Sequence, residues 1–244
     1  MQKPVEKAVA EINRGRDECL DLLARIKGFH IPAAGQPFDP IFRLISTPML
    51  YSAWERCFTL CHEVSLRLIR DTSANPMALA ASTRAVWLMR TPFYSSLISK
   101  LRGQINGEDE RPKKGHFASL CDFLTAFDEW SRNSIDPNVA TNELVMTFSN
   151  VNPAVVEVNA RSIGLSESDG FRALKLGKLN DLVGERNDIG HGGMIEPPTN
   201  ERFVELWQFT EDLIRDYCDA VAAWMHAHFG ETSIERQLVS GRDR

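Results

Sequence analysis

The sequence predicts an all-α protein, a bundle of helices, and three observations support this fold class. Apolar residues recur every three or four positions along several long segments, with charged residues between them. Proline, glycine and asparagine separate these segments from one another. The alternating strand and helix pattern of an α/β domain is missing from the sequence, and so are internal repeats. Amphipathic helices of this kind bury their apolar faces against one another in a bundle.

The N-terminal half contains three predicted helical stretches. The first covers residues 4–27 and the second covers residues 41–71, with a bend or restart at Pro48, because proline is tolerated at a first helical position and not in an interior. The third stretch covers residues 75–102 and should kink at Pro92.

The C-terminal half continues with shorter elements. We expect a fourth helix over residues 116–132, a loop with a short extended piece at residues 144–148, and a helix that begins at Pro153. Another helix should run over residues 171–191, and Asn200 should cap a last, long helix.

Composition limits the class of protein. A chain of 244 residues with 43% hydrophobic content predicts one domain over residues 1–229, with the helix at about 4–27 as an addition and residues 230–244 as a polar tail. Five irregularly spaced cysteines and the lack of an apolar run of roughly 20 residues predict a cytoplasmic protein without a membrane span. The net charge of −5 means that any nucleic-acid contact depends on a local patch.

One segment, LNDLVGERNDIGHGGMIEPP at residues 179–198, combines groups that could carry chemistry. Asn187 and His191 are one helical turn apart on nearly the same face, and Arg186 lies about 100° to 140° around the helix, from where its long side chain can reach them. His191 immediately precedes two glycines, so we expect its imidazole at an accessible helix end.

These three side chains suit the cleavage of RNA by attack of a 2'-hydroxyl on the adjacent phosphate. A histidine that titrates near neutrality can move the protons, and the planar fork of arginine can hold the charged phosphorane. Asn187 can orient either group, and no metal or cofactor is required. Because one imidazole cannot readily act as base and acid in the same step, two histidines from a symmetric homodimer would supply both roles. The same residues have a structural alternative, since Arg, His and Gly are also favoured at the C-terminal end of a helix.

The chain resembles the HEPN superfamily (higher eukaryotes and prokaryotes nucleotide-binding), and its RiboL-PSP-like branch in prokaryotic conflict systems in particular. Three segments carry the resemblance: STPMLYSAWERCFTLCHEVSLRLI, SNVNPAVVEVNARSIGL, and the signature in LNDLVGERNDIGHGG. The resemblance implies a HEPN-like helical bundle, a homodimer with both signatures in one cleft, and metal-independent endoribonuclease activity. Arg186, Asn187 and His191 match the signature, and Glu55 matches an acidic position near the cleft.

Two departures from the signature are present. Gly190 stands where the family more often has alanine, which should loosen the last helical turn by about 1 kcal/mol without removing a functional group. Two glycines and no tyrosine follow His191, so control by tyrosine AMPylation is not expected.

Other polar clusters allow weaker interpretations. Arg172, Lys175 and Lys178 could bind the RNA backbone, although a solvated charged face is the ordinary explanation of such a run. Cys57 and Cys61 are one helical turn apart, but without a partner pair at suitable spacing they are better explained as core thiols than as metal ligands.

The sequence therefore predicts a metal-independent endoribonuclease, a toxin or anti-phage effector whose partners are RNA, a second copy of itself and an antitoxin or regulatory protein. Two alternatives stay open. One is a non-catalytic HEPN dimer that acts as an RNA-binding or regulatory scaffold, and the other is a helical interaction domain in which the signature residues only cap a helix.

Overall fold

The computed structural model describes residues 4–102, 114–148, 150–190 and 196–230. Within these ranges it contains nine α-helices, four short 3-10 turns and no strand, which confirms the all-α class. The helices are α1 (Pro4–Gly28), α2 (Pro40–Thr72), α3 (Ala81–Met89), α4 (Pro92–Arg102), α5 (Lys114–Arg132), α6 (Pro153–Ile163), α7 (Asp169–Arg172), α8 (Leu179–Gly190) and α9 (Asn200–Phe229). No described helix combines the length and apolar character needed to span a bilayer.

Helix α2 is the centre of the bundle and packs against α1, α8 and α9. The fully buried rings of Trp54 and Phe58 lie 5.3 and 5.8 Å, centroid to centroid, from the ring of Tyr217 on α9. Gly15 lets α1 approach closely, because a Cβ there would lie 1.9 Å from a methyl carbon of Leu60 on α2. These contacts fix α2 on three sides, and α2 carries one half of the candidate site.

The two prolines expected to disturb helices lie in different settings, Pro48 inside a continuous helix and Pro92 at the start of one. Helix α2 runs without a break from Pro40 to Thr72, so the restart considered at Pro48 does not occur. Pro92 does not kink a longer helix but starts α4 after a break at Arg90 and Thr91, because proline disfavours a helical residue before it and suits a first helical position.

The side chains of Asn159 and Asn200 make hydrogen bonds that the sequence did not predict. The predicted extended piece at residues 144–148 is not a strand, and Met146 instead pairs through its backbone N–H and carbonyl with the amide of Asn159, at 3.0 and 2.7 Å. Thr199, not Asn200, caps α9 by accepting a hydrogen bond from the backbone N–H of Arg202. Asn200 is occupied elsewhere, since its Oδ1 accepts from the N–H of Phe38 at 2.9 Å.

The segment expected as one helix over residues 171–191 is divided into α7, a 3-10 turn at Leu176–Lys178 and α8. Arg202 of α9 holds α8 in place through ion pairs with Asp181 at 2.9 Å and Glu185 at 3.7 Å. His191 and most of the predicted polar tail, residues 231–244, lie outside the described residues.

A buried histidine makes the stability of the bundle depend on pH. The fully buried imidazole of His62 lies 2.6 Å, through Nε2, from the hydroxyl of Tyr217. Burial lowers its pKa from 6.5 to about 3, because the charged form would lose its water. Between about pH 3 and 6.5, the imidazole of His62 is thus neutral in the folded chain but mostly protonated in the unfolded chain.

We expect acid to destabilise the wild type through His62. Above pH 6.5 this group contributes no pH dependence, and as the pH falls from 6.5 towards 3 only the unfolded chain gains the proton. The free energy of unfolding should then fall by up to about 1.4 kcal/mol per pH unit. Urea unfolding of the wild type, His62→Gln and, as control, the exposed His226→Gln measures this dependence. His62→Gln should lose less stability than the other two on acidification, and parallel losses in all three would contradict the assignment.

Candidate active site

The side chain of Arg186 lies where α8 passes α2 and the residues before α6. Its Nη1 donates to Oδ1 of Asn187 at 3.0 Å and to Oδ1 of Asn150 at 3.3 Å. The carbon at the centre of its guanidinium lies 5.1 Å from the centroid of the Tyr51 ring, a cation–π contact. Two signature residues, Arg186 and Asn187, are thereby in direct contact, and the guanidinium is oriented from three sides.

Tyr51 is the residue that joins the parts of the site. Its hydroxyl accepts a hydrogen bond from the backbone N–H of Val151 at 2.7 Å and donates one to Oε1 of Glu55 at 3.2 Å. Burial raises the pKa of the phenol above its usual value, so the hydroxyl keeps the proton that it donates to Glu55. Its ring supports Arg186 at the same time. Helix α2, the loop before α6 and helix α8 therefore meet at one buried side chain.

No acid among the described residues forms an ion pair with Arg186. Within the described part of the chain, its partners are a ring and two amide oxygens, and no carboxylate forms an ion pair with it. The acids of α8 show the contrast, because Asp181 and Glu185 both pair with Arg202 on α9. A half-buried guanidinium held by neutral groups keeps its charge available for an anionic ligand.

Glu55 belongs to the same network but does not contact Arg186 directly. Its half-buried carboxylate accepts from Tyr51, and it also lines a groove of about 700 Å³ between α1 and α2. Arg56, its sequence neighbour, pairs instead with Glu18 of α1 at 2.8 Å. Glu55 therefore reaches the guanidinium only through Tyr51. A role in catalysis stays a prediction.

His191, the residue predicted to move protons, lies outside the described residues, so its distance from Arg186 and Asn187 is not defined. The described end of α8 is Gly190, one turn beyond the guanidinium. The proton-transfer role of His191 stays a prediction.

The predicted RNA-binding run lies before α8 and is largely paired with acids. Arg172 forms an ion pair with Glu167 at 2.6 Å, and Lys178 forms one with Glu205 at 2.5 Å. Lys175 is exposed and shares a surface groove with Lys178 and several acids of α9. Because nearby carboxylates offset much of this positive charge, Arg186 is the better-prepared anion-binding group.

The structure adds Tyr51 and Asn150 to the residues that sequence reasoning selected. Tyr51 lies one helical turn before Glu55, and this spacing predicts that the two side chains share one face of the helix. Asn150 lies 36 residues before Arg186 in an irregular segment, where no periodic pattern indicates the direction of a side chain. Only the tertiary structure brings its amide to the guanidinium.

A second polar cluster lies inside the core. Cys218 of α9 meets the pair on α2, with its Sγ 3.3 Å from that of Cys57 and 3.7 Å from that of Cys61. Hydrogen bonds from these two thiols lower the pKa of Cys218 to about 5. Three sulfurs this close could hold a soft ion, but structural zinc takes four ligands, and no fourth ligand joins the cluster among the described residues. The thiols fit a packed core, as the sequence indicated.

We expect the Tyr51 hydroxyl to stabilise the fold as well as the site. Tyr51→Phe keeps a ring beneath Arg186 but leaves the buried N–H of Val151 without its acceptor, which should lower the free energy of unfolding by about 1–3 kcal/mol. Tyr94→Phe is the matched control, because no side-chain partner of its hydroxyl is found among the described residues. Chemical denaturation measures both variants, and equal small losses would show that the Tyr51 hydroxyl is not needed.

Comparison with known proteins identifies the family of the chain. No curated protein and no solved structure shows significant similarity to the chain. The family model for the RiboL-PSP-HEPN domain, in contrast, matches residues 16–223, which include α2, α8 and most of α9. Because this match covers most of the sequence, the chain belongs to the RiboL-PSP-HEPN family.

Proposed function

We propose that the protein is a metal-independent endoribonuclease that cleaves RNA through attack of the 2'-hydroxyl on the adjacent phosphate. Family membership supports this function, since HEPN domains are commonly ribonucleases. The observation that carries it within this chain is the guanidinium of Arg186, which neutral groups orient and no described carboxylate neutralises. Such a group is prepared for a phosphate that gains negative charge during the reaction.

In the proposed mechanism, Arg186 holds the phosphorane oxygens while protons move at the two ends of the reacting group. His191 removes the proton of the 2'-hydroxyl, and His191 of a second copy gives a proton to the departing 5'-oxygen. The products are a 2',3'-cyclic phosphate and a 5'-hydroxyl end. Asn187 keeps the guanidinium in position, a role that its 3.0 Å hydrogen bond to Arg186 supports. The chain acts as a homodimer in this proposal because each active cleft needs both histidines.

The biological role that fits such an activity is that of a toxin or anti-phage effector. Uncontrolled RNA cleavage would harm the host cell, so an antitoxin or regulatory protein is part of the proposal. Glu55 is proposed to act through Tyr51, which it contacts at 3.2 Å. Arg172, Lys175 and Lys178 are proposed as weaker contacts to the RNA backbone, since their charge is largely offset by neighbouring acids.

A cleavage assay tests the function. Purified wild type should cut a mixed tRNA and mRNA pool in EDTA and leave cyclic phosphate ends. Arg186→Gln should cut at least about a hundredfold more slowly, because the phosphorane loses its charged hydrogen-bond donor, and His191→Ala should be inactive. Arg215→Gln is the matched control, since it removes an exposed arginine of α9 that pairs with Asp212.

The outcomes separate the proposal from its alternatives. Cleavage by the wild type and by Arg215→Gln alone supports the mechanism. Binding of RNA by a wild type that does not cut it would favour the scaffold function instead. Equal cleavage by the wild type and His191→Ala would show that His191 only ends a helix.

A further inference from the structure

The amide of Asn150 has a defined orientation, although oxygen and nitrogen of a carboxamide are otherwise hard to tell apart. A guanidinium carries only hydrogen-bond donors, so the atom that faces Nη1 of Arg186 must be the amide oxygen. The same reasoning fixes Asn187, whose Oδ1 accepts from the same Nη1. Each Nδ2 then faces away from that atom, and neither has a hydrogen-bond partner among the described residues.

Donors outnumber acceptors in this group of side chains, because each amide oxygen already accepts from Arg186. The guanidinium contributes its remaining N–H groups, and the two amides contribute two N–H groups each. A ligand that satisfies such a set must offer several acceptor oxygens close together and few protons, which describes a phosphodiester. A ligand rich in donors would leave the N–H groups unpaired at a half-buried site, at a cost in free energy.

The backbone next to Asn150 is held so that this amide is preorganised. The N–H of Val151 donates to the Tyr51 hydroxyl at 2.7 Å, and its carbonyl accepts from Nε1 of Trp54 at 3.3 Å. The carbonyl of Asn150 itself accepts from the N–H of Asn152, the residue that caps α6. Two buried side chains of α2 and a helix cap therefore fix the backbone on the C-terminal side of Asn150 before any ligand arrives.

We propose that Asn150 is a further substrate-binding residue, which donates from Nδ2 to an oxygen of the same RNA phosphate that Arg186 holds. This inference rests on the proposed function and adds to it a residue outside the signature. The contrasting role is indirect, with Asn150 only keeping Arg186 in position. The two roles differ in whether Asn150 still matters once Arg186 has been removed.

A double-mutant cycle on binding separates these roles. The probe is a fluorescent 2'-O-methyl oligoribonucleotide of mixed sequence, which has RNA phosphates but no 2'-hydroxyl and so cannot be cut. Affinity is measured for the wild type, Asn150→Ala, Arg186→Gln and the double variant. Asn150→Ala should weaken binding about tenfold in the wild type and still severalfold in Arg186→Gln, because its hydrogen bond to the phosphate is made directly.

Two further variants control for a loss of binding that is caused by misfolding. Asn180→Ala, on the exposed surface of α8, changes the same residue type and should bind as the wild type does. Asn150→Asp retains an acceptor for Arg186 but turns the donor into a carboxylate, so it should bind at least as poorly as Asn150→Ala while melting close to the wild type.

Each other outcome overturns the inference. If Asn150→Ala has no effect in the Arg186→Gln background, Asn150 acts only by positioning Arg186. If Asn150→Ala binds normally while the wild type binds and cuts RNA, the proposed function stands and Asn150 has no part in it. If the wild type neither binds the probe nor cuts RNA, the proposed function fails together with the inference.

Discussion

The contact between the guanidinium of Arg186 and the ring of Tyr51 is the interaction on which the candidate site depends. It joins α8, which carries the signature, to α2, the helix at the centre of the bundle. Tyr51 can hold this position because it is almost fully buried and its hydroxyl is fixed by Val151 and Glu55. The packing of α2 against α1 and α9 thus determines where a positive charge on α8 lies.

The neutral partners of the Arg186 guanidinium leave its charge available to a phosphate. A carboxylate beside Arg186 would stabilise the guanidinium, but an RNA phosphate would then have to compete with it. A ring and two amide oxygens orient the group without neutralising it. Arg172 and Lys178, the nearest predicted RNA-binding cations, pair with acids, whereas Arg186 has no acidic partner among the described residues.

The sequence predicted the parts of this account that depend on local pattern. Helical spacing located the main helices, and the signature singled out Arg186 and Asn187, which the structure places in contact. Tertiary contacts decided the rest. Thr199 and Asn200 are both good capping residues. Thr199 caps α9, whereas the Oδ1 of Asn200 accepts a hydrogen bond from the N–H of Phe38. Likewise, no local rule could show that Asn150 meets a side chain 36 positions later.

The central claim is that the charge of Arg186 is reserved for an RNA phosphate. Its most direct test is the salt dependence of binding to the uncleavable 2'-O-methyl oligoribonucleotide, for the wild type and Arg186→Gln. Each phosphate that a cation neutralises contributes about 0.7 to the slope of log affinity against log salt for a single strand. We predict that Arg186→Gln weakens binding and lowers the magnitude of the slope by about 0.7 for each phosphate that Arg186 contacts. An unchanged slope with unchanged affinity would show that the guanidinium does not meet the RNA backbone.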